Sequence, residues 1–243
     1  MRRYFLTRIR KALTGIISAY CLLALPIPAW AQQAPSNNTA ERAAPCFACH
    51  GKEGQATSDG SLPRIAGKPA GYLFNQLANF RDGRRNNAQM TYMVGYMSDR
   101  NLREFADYFA GLHPPYPAPQ APNLPAAELE RGRLLVLQGD KTRSIPACVA
   151  CHGERLTGTQ PSIPGLAGLS RGYLAWQFGS WKDGHRSAAA PDCMARIARS
   201  LTPQDIGAAT AWIASQRLPD DMSAAPAGAV KPPIPCGSYT ETP

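Results

Sequence analysis

An internal duplication constrains the fold of this chain more than any other feature. Residues 62–85 and 163–186 align at a constant offset of 101 and are identical at ten of 24 positions. The shared pairs are Pro63/Pro164, Ala66/Ala167, Gly67/Gly168, Gly71/Gly172, Tyr72/Tyr173, Leu73/Leu174, Gln76/Gln177, Asp82/Asp183, Gly83/Gly184 and Arg85/Arg186. A period this long indicates two copies of a whole domain rather than a short solenoid repeat.

A proline-rich segment separates the two copies. Residues 113–125 contain six prolines in 13 positions, a composition that favours an extended, semi-rigid connector. We therefore predict a first domain over residues 32–112 and a second over residues 126–217. Residues 218–243 are rich in proline and alanine and are predicted to form an irregular tail.

Each copy carries a helical pattern with clear ends. One helical face is formed by Tyr72, Leu73, Gln76, Leu77 and Phe80, and in the second copy by Tyr173, Leu174, Gln177, Phe178 and Trp181. We interpret these stripes as core packing rather than a ligand site. The Asp-Gly pairs at 82–83 and 183–184 are predicted to end both helices, because glycine suits a left-handed cap. Ser98 and Thr202 are predicted N-caps of a final helix in each copy, with Pro203 at its first position.

The N-terminus is typical of an export signal. Five basic residues precede a mostly apolar stretch from Ala12 to Leu25, and residues 29–31 offer an Ala-x-Ala cleavage site, so residues 1–31 are predicted to be removed. A retained anchor is the alternative. The twin arginines at 2–3 leave the export route open, although export of the unfolded chain is favoured. Cleavage would lower the formal net charge from +9 to +4, which leaves no case for nucleic-acid binding.

Each copy contains one Cys-x-x-Cys-His motif, the attachment signature of c-type haem. The first motif places thiols at Cys46 and Cys49, and the second places them at Cys148 and Cys151. Two covalently bound c-type haems, with their irons, are therefore predicted. A structural zinc site of four thiolates and a pair of disulfides are the alternatives, but neither explains the histidine that follows each pair.

The histidines of these motifs, His50 and His152, are predicted to supply the fifth iron ligand. Methionine is the natural donor on the opposite face, because a neutral thioether favours ferrous iron. In the second copy Met194 lies seven residues before Leu201, and in the first copy Met90 lies seven before Met97. This register selects Met90, with Met93 as the alternative.

Proline has no N–H and cannot donate a hydrogen bond from its nitrogen, but its carbonyl is free to accept one. An axial histidine usually donates its second N–H to such a carbonyl. Pro63 and Pro164 follow the two haem motifs at matching places and are predicted to accept these bonds. Two strong axial ligands would leave each iron without an open position, which favours electron transfer over catalysis.

The order of CxxCH, PxxAG, the YLxxQ and DGxR segments and a methionine before a capped helix, all present twice, resembles the two-haem cytochromes of the cytochrome c4 family. The resemblance implies an all-α chain of two class I cytochrome c domains. It also implies a periplasmic electron carrier whose redox partners are a donor dehydrogenase or cytochrome complex and an acceptor such as a terminal oxidase. Contact with the membrane is expected only through such partner complexes.

Two other functions are weighed against the diffusible carrier. One is a cytochrome subunit docked on a periplasmic dehydrogenase, and the other is a two-haem thiosulfate-oxidising enzyme. Only His113 and His185 lie outside the haem motifs, so acid–base chemistry has few candidates. We therefore predict that the chain is not an enzyme.

Two cysteines remain once the haem thiols and Cys21 of the predicted signal are set aside. Cys193 and Cys236 form an even pair in a compartment that permits disulfides. We predict a disulfide between them, which would tie the tail to the loop that carries Met194. The alternative is that Cys193 ligates iron as a thiolate.

Overall fold

The computed structural model of the protein describes residues 38–57 and 59–239. Within these residues the chain forms nine α-helices and one short hairpin. The helices are α1 Thr39–His50, α2 Ala70–Arg81, α3 Ala88–Val94, α4 Asp99–Ala110, α5 Ala126–Leu137, α6 Val149–His152, α7 Arg171–Lys182, α8 Cys193–Ser200 and α9 Pro203–Ser215. The hairpin pairs β1 Gly158–Thr159 with β2 Ile163–Pro164. The predicted export signal lies outside the described residues.

The predicted helices and their ends are confirmed in both halves. α2 and α7 cover the two apolar stripes, and the glycines that follow them, Gly83 and Gly184, have φ angles of 74° and 77°. The Ser98 hydroxyl caps α4 by accepting from the backbone N–H of Asn101 at 3.3 Å. Thr202 caps α9 with a complete capping box. No helix of the described part of the chain is long and apolar enough to cross a membrane.

The two halves pack their helices in a related way. In the first half α2 lies against α4, and in the second α7 lies against α9. α5 also packs closely on α9, and this contact requires glycine, because a Cβ on Gly132 would lie 2.2 Å from the carbonyl oxygen of Ala208. Buried apolar side chains form two clusters in each half. Together the described residues of the two halves make one compact unit.

The proline-rich connector is held against both halves instead of bridging them loosely. Arg64 of the first half donates to the carbonyl oxygens of Pro114 and Pro115 at 2.5 and 3.0 Å, and its guanidinium lies 3.6 Å from the ring centroid of Tyr116. From the second half, the backbone N–H of Arg171 donates to the side chain of Gln120 at 2.8 Å. The connector forms neither helix nor strand and is fastened to both halves.

A buried carboxylate stabilises the start of α9. Asp205 accepts hydrogen bonds from Arg131 at 3.1 Å and from Arg143 at 2.7 Å, and it completes the capping box by accepting from the backbone of Thr202. Burial raises the pKa of Asp205, but the bonds from Arg143, Thr202 and Arg131 outweigh it and lower that pKa to about 2. The ionised carboxylate therefore favours the folded state.

Replacing Asp205 with asparagine is expected to lower the free energy of unfolding at neutral pH by about 1 kcal/mol, after allowance for screening at the half-exposed Arg131. Because the pKa of Asp205 in the folded state lies below the ordinary aspartate value of about 3.9, the stabilisation is present above that pH and is lost as the pH falls through about 2. Urea unfolding of both proteins across this range measures the difference. Glu130→Gln, in an exposed pair with Arg133, is the control and should show no comparable effect. A difference that persists unchanged near pH 2 would contradict the assignment.

Candidate functional site

The imidazoles of the two CxxCH motifs are held in the same way in both halves. His50 ends α1 and His152 ends α6, and only 8% and 7% of these residues is exposed. Nδ1 of His50 donates to the carbonyl oxygen of Pro63 at 2.9 Å, and Nδ1 of His152 donates to that of Pro164 at 2.7 Å. Because a carbonyl oxygen can only accept, Nδ1 carries the proton and the lone pair of Nε2 is available to a metal.

Burial also sets the protonation state of these rings. It lowers the pKa of both His50 and His152, and the hydrogen bonds from the ring to the proline carbonyls oppose it only in part. Both imidazoles are therefore neutral at neutral pH. Neutral imidazole is the form that coordinates a metal.

The four thiols of the motifs are all free, so neither CxxC pair forms a disulfide. The thiols concerned are Cys46, Cys49, Cys148 and Cys151. Within residues 38–57 and 59–239, no group of three or more histidine, cysteine, aspartate or glutamate side chains converges where it could hold a metal ion. The four thiolates that a structural zinc site requires are thus not assembled in this part of the chain.

In the second half, the predicted site residues surround one pocket. Cys148, Cys151, His152, Pro164 and Met194 all line it. The empty space between these walls, open mouth included, is about 1560 Å³. The position of the methionine is set by the start of α8, where the side chain of Asp192 accepts from the backbone N–H of Ala195 at 2.9 Å. The predicted thiols, imidazole and thioether of the second half therefore converge on one space.

In the first half, the candidate residues lie in two adjoining clusters. Cys46 packs against the cluster that contains Phe105 and Phe109. Met90 packs against the cluster of Ala78, Phe80, Val94 and Leu102, and its backbone N–H is bonded to the N-cap side chain of Asn87 at 3.0 Å. Met93, on the same helix, is 39% exposed. Met90 is therefore the more buried of the two methionines, and it is also the one that the sequence register selects.

Two buried arginines meet where the halves touch. Arg85 and Arg186 form an isolated antiparallel bridge through their backbones. Arg85 donates to Gln76 at 3.0 Å and to Gln177 at 2.8 Å, and Arg186 donates to the same two glutamines. Each guanidinium also lies 3.4 Å from the hydroxyl of a tyrosine in the opposite half. All these side-chain partners are neutral, so the two positive charges face each other without a described carboxylate between them.

A third cation adds to this buried positive charge. Lys68 is also buried, and its ammonium donates to the carbonyl oxygen of Gly165 at 3.4 Å. Burial lowers its pKa to about 8. Like charges in a low dielectric repel strongly unless an anion balances them. Lys68 and Arg186 both line the pocket of the second half, so the carboxylates of a haem would fit the charge of this site.

The disulfide between Cys193 and Cys236 is present, with a Cα–Cα distance of 4.9 Å, and the prediction is confirmed. The alternative of Cys193 as an iron ligand is wrong, because its sulfur is bonded to the tail. The tail itself does more than the sequence indicated, since Pro232, Ile234 and Tyr239 contribute to the lining of the pocket in the second half.

The buried cations and the tail wall are the functional features that the sequence interpretation missed. A signal for the arginine pair was present, because Arg85/Arg186 and Gln76/Gln177 are identical pairs of the repeat. An identical glutamine on an otherwise apolar helix face, followed in both copies by an identical arginine beyond the helix end, indicates a shared buried polar site. No comparable signal marks the tail, which follows only the second copy.

Comparison with known proteins gives three informative matches, although no protein-family model matches the chain. The chain is 39% identical over 196 residues to the thiosulfate dehydrogenase electron acceptor of Thiomonas intermedia, covering 80% of this chain and 89% of the relative. It is 32% identical over 174 residues to cytochrome c4 of Pseudomonas aeruginosa, covering 71% and 84%. The crystal structure of reduced recombinant cytochrome c4 from Pseudomonas stutzeri matches with a TM-score of 0.64 at 27% identity, covering 74% and 97%. Each match spans more than two thirds of both chains, so the similarity concerns the tandem as a whole.

Proposed function

Because the chain belongs to the cytochrome c4 family of two-haem electron carriers, we propose that it accepts single electrons from a thiosulfate dehydrogenase in the periplasm and delivers them to a further redox protein such as a terminal oxidase. The family establishes the predicted all-α tandem of cytochrome c domains and the two covalently bound c-type haems. The relatives are an electron acceptor and a cytochrome, which confirms that the chain is a carrier and not an enzyme.

The observation that carries the proposal is the pocket of the second half, where a fixed imidazole, two free thiols and a methionine surround one space. Cys148 and Cys151 would form the thioether bonds, His152 would supply the fifth ligand and Met194 the sixth. In the first half we assign the same roles to Cys46, Cys49, His50 and Met90. When bound, each haem supplies a one-electron redox couple.

The protein's own part in this chemistry is to hold both axial donors in place. The hydrogen bonds from His50 to Pro63 and from His152 to Pro164 fix the orientation in which each imidazole would hold the iron. A site closed by two strong donors has no position for a small exogenous ligand. It changes oxidation state with little rearrangement, as a carrier requires.

The choice of donor is supported by the Thiomonas relative, which is named as the electron acceptor of thiosulfate dehydrogenase. It favours an association with a dehydrogenase over a carrier that serves the oxidase alone. The predicted export signal, together with covalent haem attachment, supports a periplasmic location.

We expect purified thiosulfate dehydrogenase with thiosulfate to reduce both haems of the oxidised protein within the mixing time of a stopped-flow experiment or shortly after it. The reason is that a physiological acceptor forms a short-lived complex with its donor at a high rate. The alpha-band absorbance of reduced haem gives the rate.

Thiosulfate alone and dehydrogenase alone are the controls and should each leave the protein oxidised. Reduction by thiosulfate without the dehydrogenase would assign the chemistry to this chain and contradict its role as a carrier. A rate no faster with the dehydrogenase than without it would reject this donor.

A further inference from the structure

The pocket of the second half contains three buried polar atoms without a hydrogen-bond partner among the described residues. They are Nε2 of Gln177, Nε1 of Trp181 and the hydroxyl of Tyr239, and all three residues line the pocket. Leaving a buried donor unsatisfied costs about 1–3 kcal/mol. Native proteins leave few such groups unpaired, so these atoms indicate a missing acceptor at this site.

The chemistry of these groups specifies the acceptor. The amide nitrogen of Gln177 and the indole nitrogen of Trp181 can only donate, and the assignment of the amide is secure because its oxygen accepts from two guanidinium groups. Arg186 and Lys68 add buried positive charge to the same pocket. The group that belongs here therefore accepts hydrogen bonds and carries negative charge, which describes a carboxylate. On the function proposed above, the carboxylates available are the propionates of the haem in the second half.

Tyr239 differs from the other two donors because it is carried by the tail. Three residues before it, Cys236 is fastened to Cys193 at the start of α8. Next to it, the carbonyl oxygen of Ser238 accepts from Ser162 at 2.8 Å in the second half and from Asn75 at 3.2 Å in the first. The tail is thus fixed to both halves immediately before the tyrosine.

The path of the tail at this point is also sterically fixed. The backbone N–H of Gly237 donates to the carbonyl oxygen of Pro191 at 2.9 Å, and a Cβ on this glycine would lie 2.2 Å from the carbonyl oxygen of Ala190. The N–H of Tyr239 closes a turn onto the carbonyl oxygen of Cys236 at 3.1 Å. A side chain that is held in place before its partner binds loses little conformational entropy in forming a hydrogen bond.

We propose that the hydroxyl of Tyr239 donates a hydrogen bond to a propionate carboxylate of the haem in the second half, so that the disulfide-fastened tail forms one wall of that haem's site. The tail follows only the second copy of the repeat, so the first copy has no equivalent tail to supply such a donor. A hydrogen bond to the carboxylate withdraws negative charge from the neighbourhood of the iron and favours the reduced state. The tail therefore raises the potential of one haem and leaves the other unchanged.

Substitution of Tyr239 with phenylalanine tests this proposal, because it removes the hydroxyl and keeps the ring. In a spectroelectrochemical titration of the full two-haem protein, we expect one of the two redox waves to move to lower potential while the other stays in place. The expected shift is about threefold in the reduction equilibrium, which corresponds to about 28 mV at 59 mV per decade. Tyr96→Phe, at a fully exposed tyrosine of the first half, is the matched control and should move neither wave.

The disulfide provides a second, independent test. In a Cys236→Ser background the tail loses its covalent anchor and keeps only the hydrogen bonds of Gly237 and Ser238, so adding Tyr239→Phe should produce a smaller shift than it does in the wild-type background. Two unchanged waves in a Tyr239→Phe protein that retains both haems would overturn the inference and leave the carrier function intact. Shifts of equal size in both waves would also overturn it. A protein that lacks two c-type haems or does not cycle between oxidised and reduced states would instead contradict the proposed function.

Discussion

Replacing Met194 with alanine is expected to lower the potential of the second haem by about 100 mV or more, roughly a fiftyfold change in the one-electron equilibrium. The thioether is a soft, neutral donor that stabilises ferrous iron, and its loss removes that preference. The vacated position should also bind carbon monoxide in the reduced protein and cyanide in the oxidised one. Redox titration and ligand-binding spectra measure the two effects.

The two methionines of α3 provide matched comparisons for this variant. Met90→Ala should have the same consequences for the first haem, whereas Met93→Ala, at a half-exposed position on the same helix, should have neither. If Met93→Ala allows the iron of the first haem to bind carbon monoxide or cyanide and Met90→Ala does not, the register taken from the repeat is wrong at this site. Unchanged potentials in Met194→Ala, with haem still attached, would reject the assignment in the second half.

Replacing Cys236 with serine is expected to lower the free energy of unfolding by up to about 4 kcal/mol. The disulfide closes a loop with a sequence separation of 43, and on the chain-entropy model a loop of this length restricts the unfolded ensemble by that amount. It also joins the tail to α8, which carries Met194. Urea unfolding of the oxidised proteins, followed by circular dichroism, gives the difference.

Reduction of the wild-type disulfide is the natural control for this substitution. Dithiothreitol should bring the wild-type stability close to that of Cys236→Ser and should leave the variant unchanged. Equal stability of the oxidised wild type and the variant would mean that the disulfide adds nothing to the stability of the fold.

The parts of the fold that could be predicted from sequence are those determined by neighbouring residues. Ser98 and Thr202 cap their helices because an N-cap hydroxyl bonds a backbone N–H only three residues away. The pairing of Cys193 with Cys236 could be inferred without geometry, because the haem motifs and the predicted signal accounted for every other cysteine.

The features that could not be predicted depend on how distant segments dock. Lys68 belongs to a loop in the first half, yet its ammonium contacts Gly165 and lines the pocket of the second. Tyr239 lies in an irregular tail whose composition carries no periodic signal. In both cases the partner is far away in sequence, and nothing in the local pattern selects it.

The meeting of Arg85 with Arg186 has a consequence for the history of the chain. Equivalent residues of the two halves contact each other reciprocally, since Arg85 reaches Gln177 while Arg186 reaches Gln76, and the backbones of Asn86 and Ser187 donate across in both directions. Such self-complementary contact is the signature of a symmetric homodimer. A one-haem ancestor that paired with its own copy would have left this interface when its gene was duplicated and fused. After fusion the two halves would no longer have had to stay identical. Two present differences fit this history: His185 stands at the position equivalent to Arg84, and a tail follows the second copy alone.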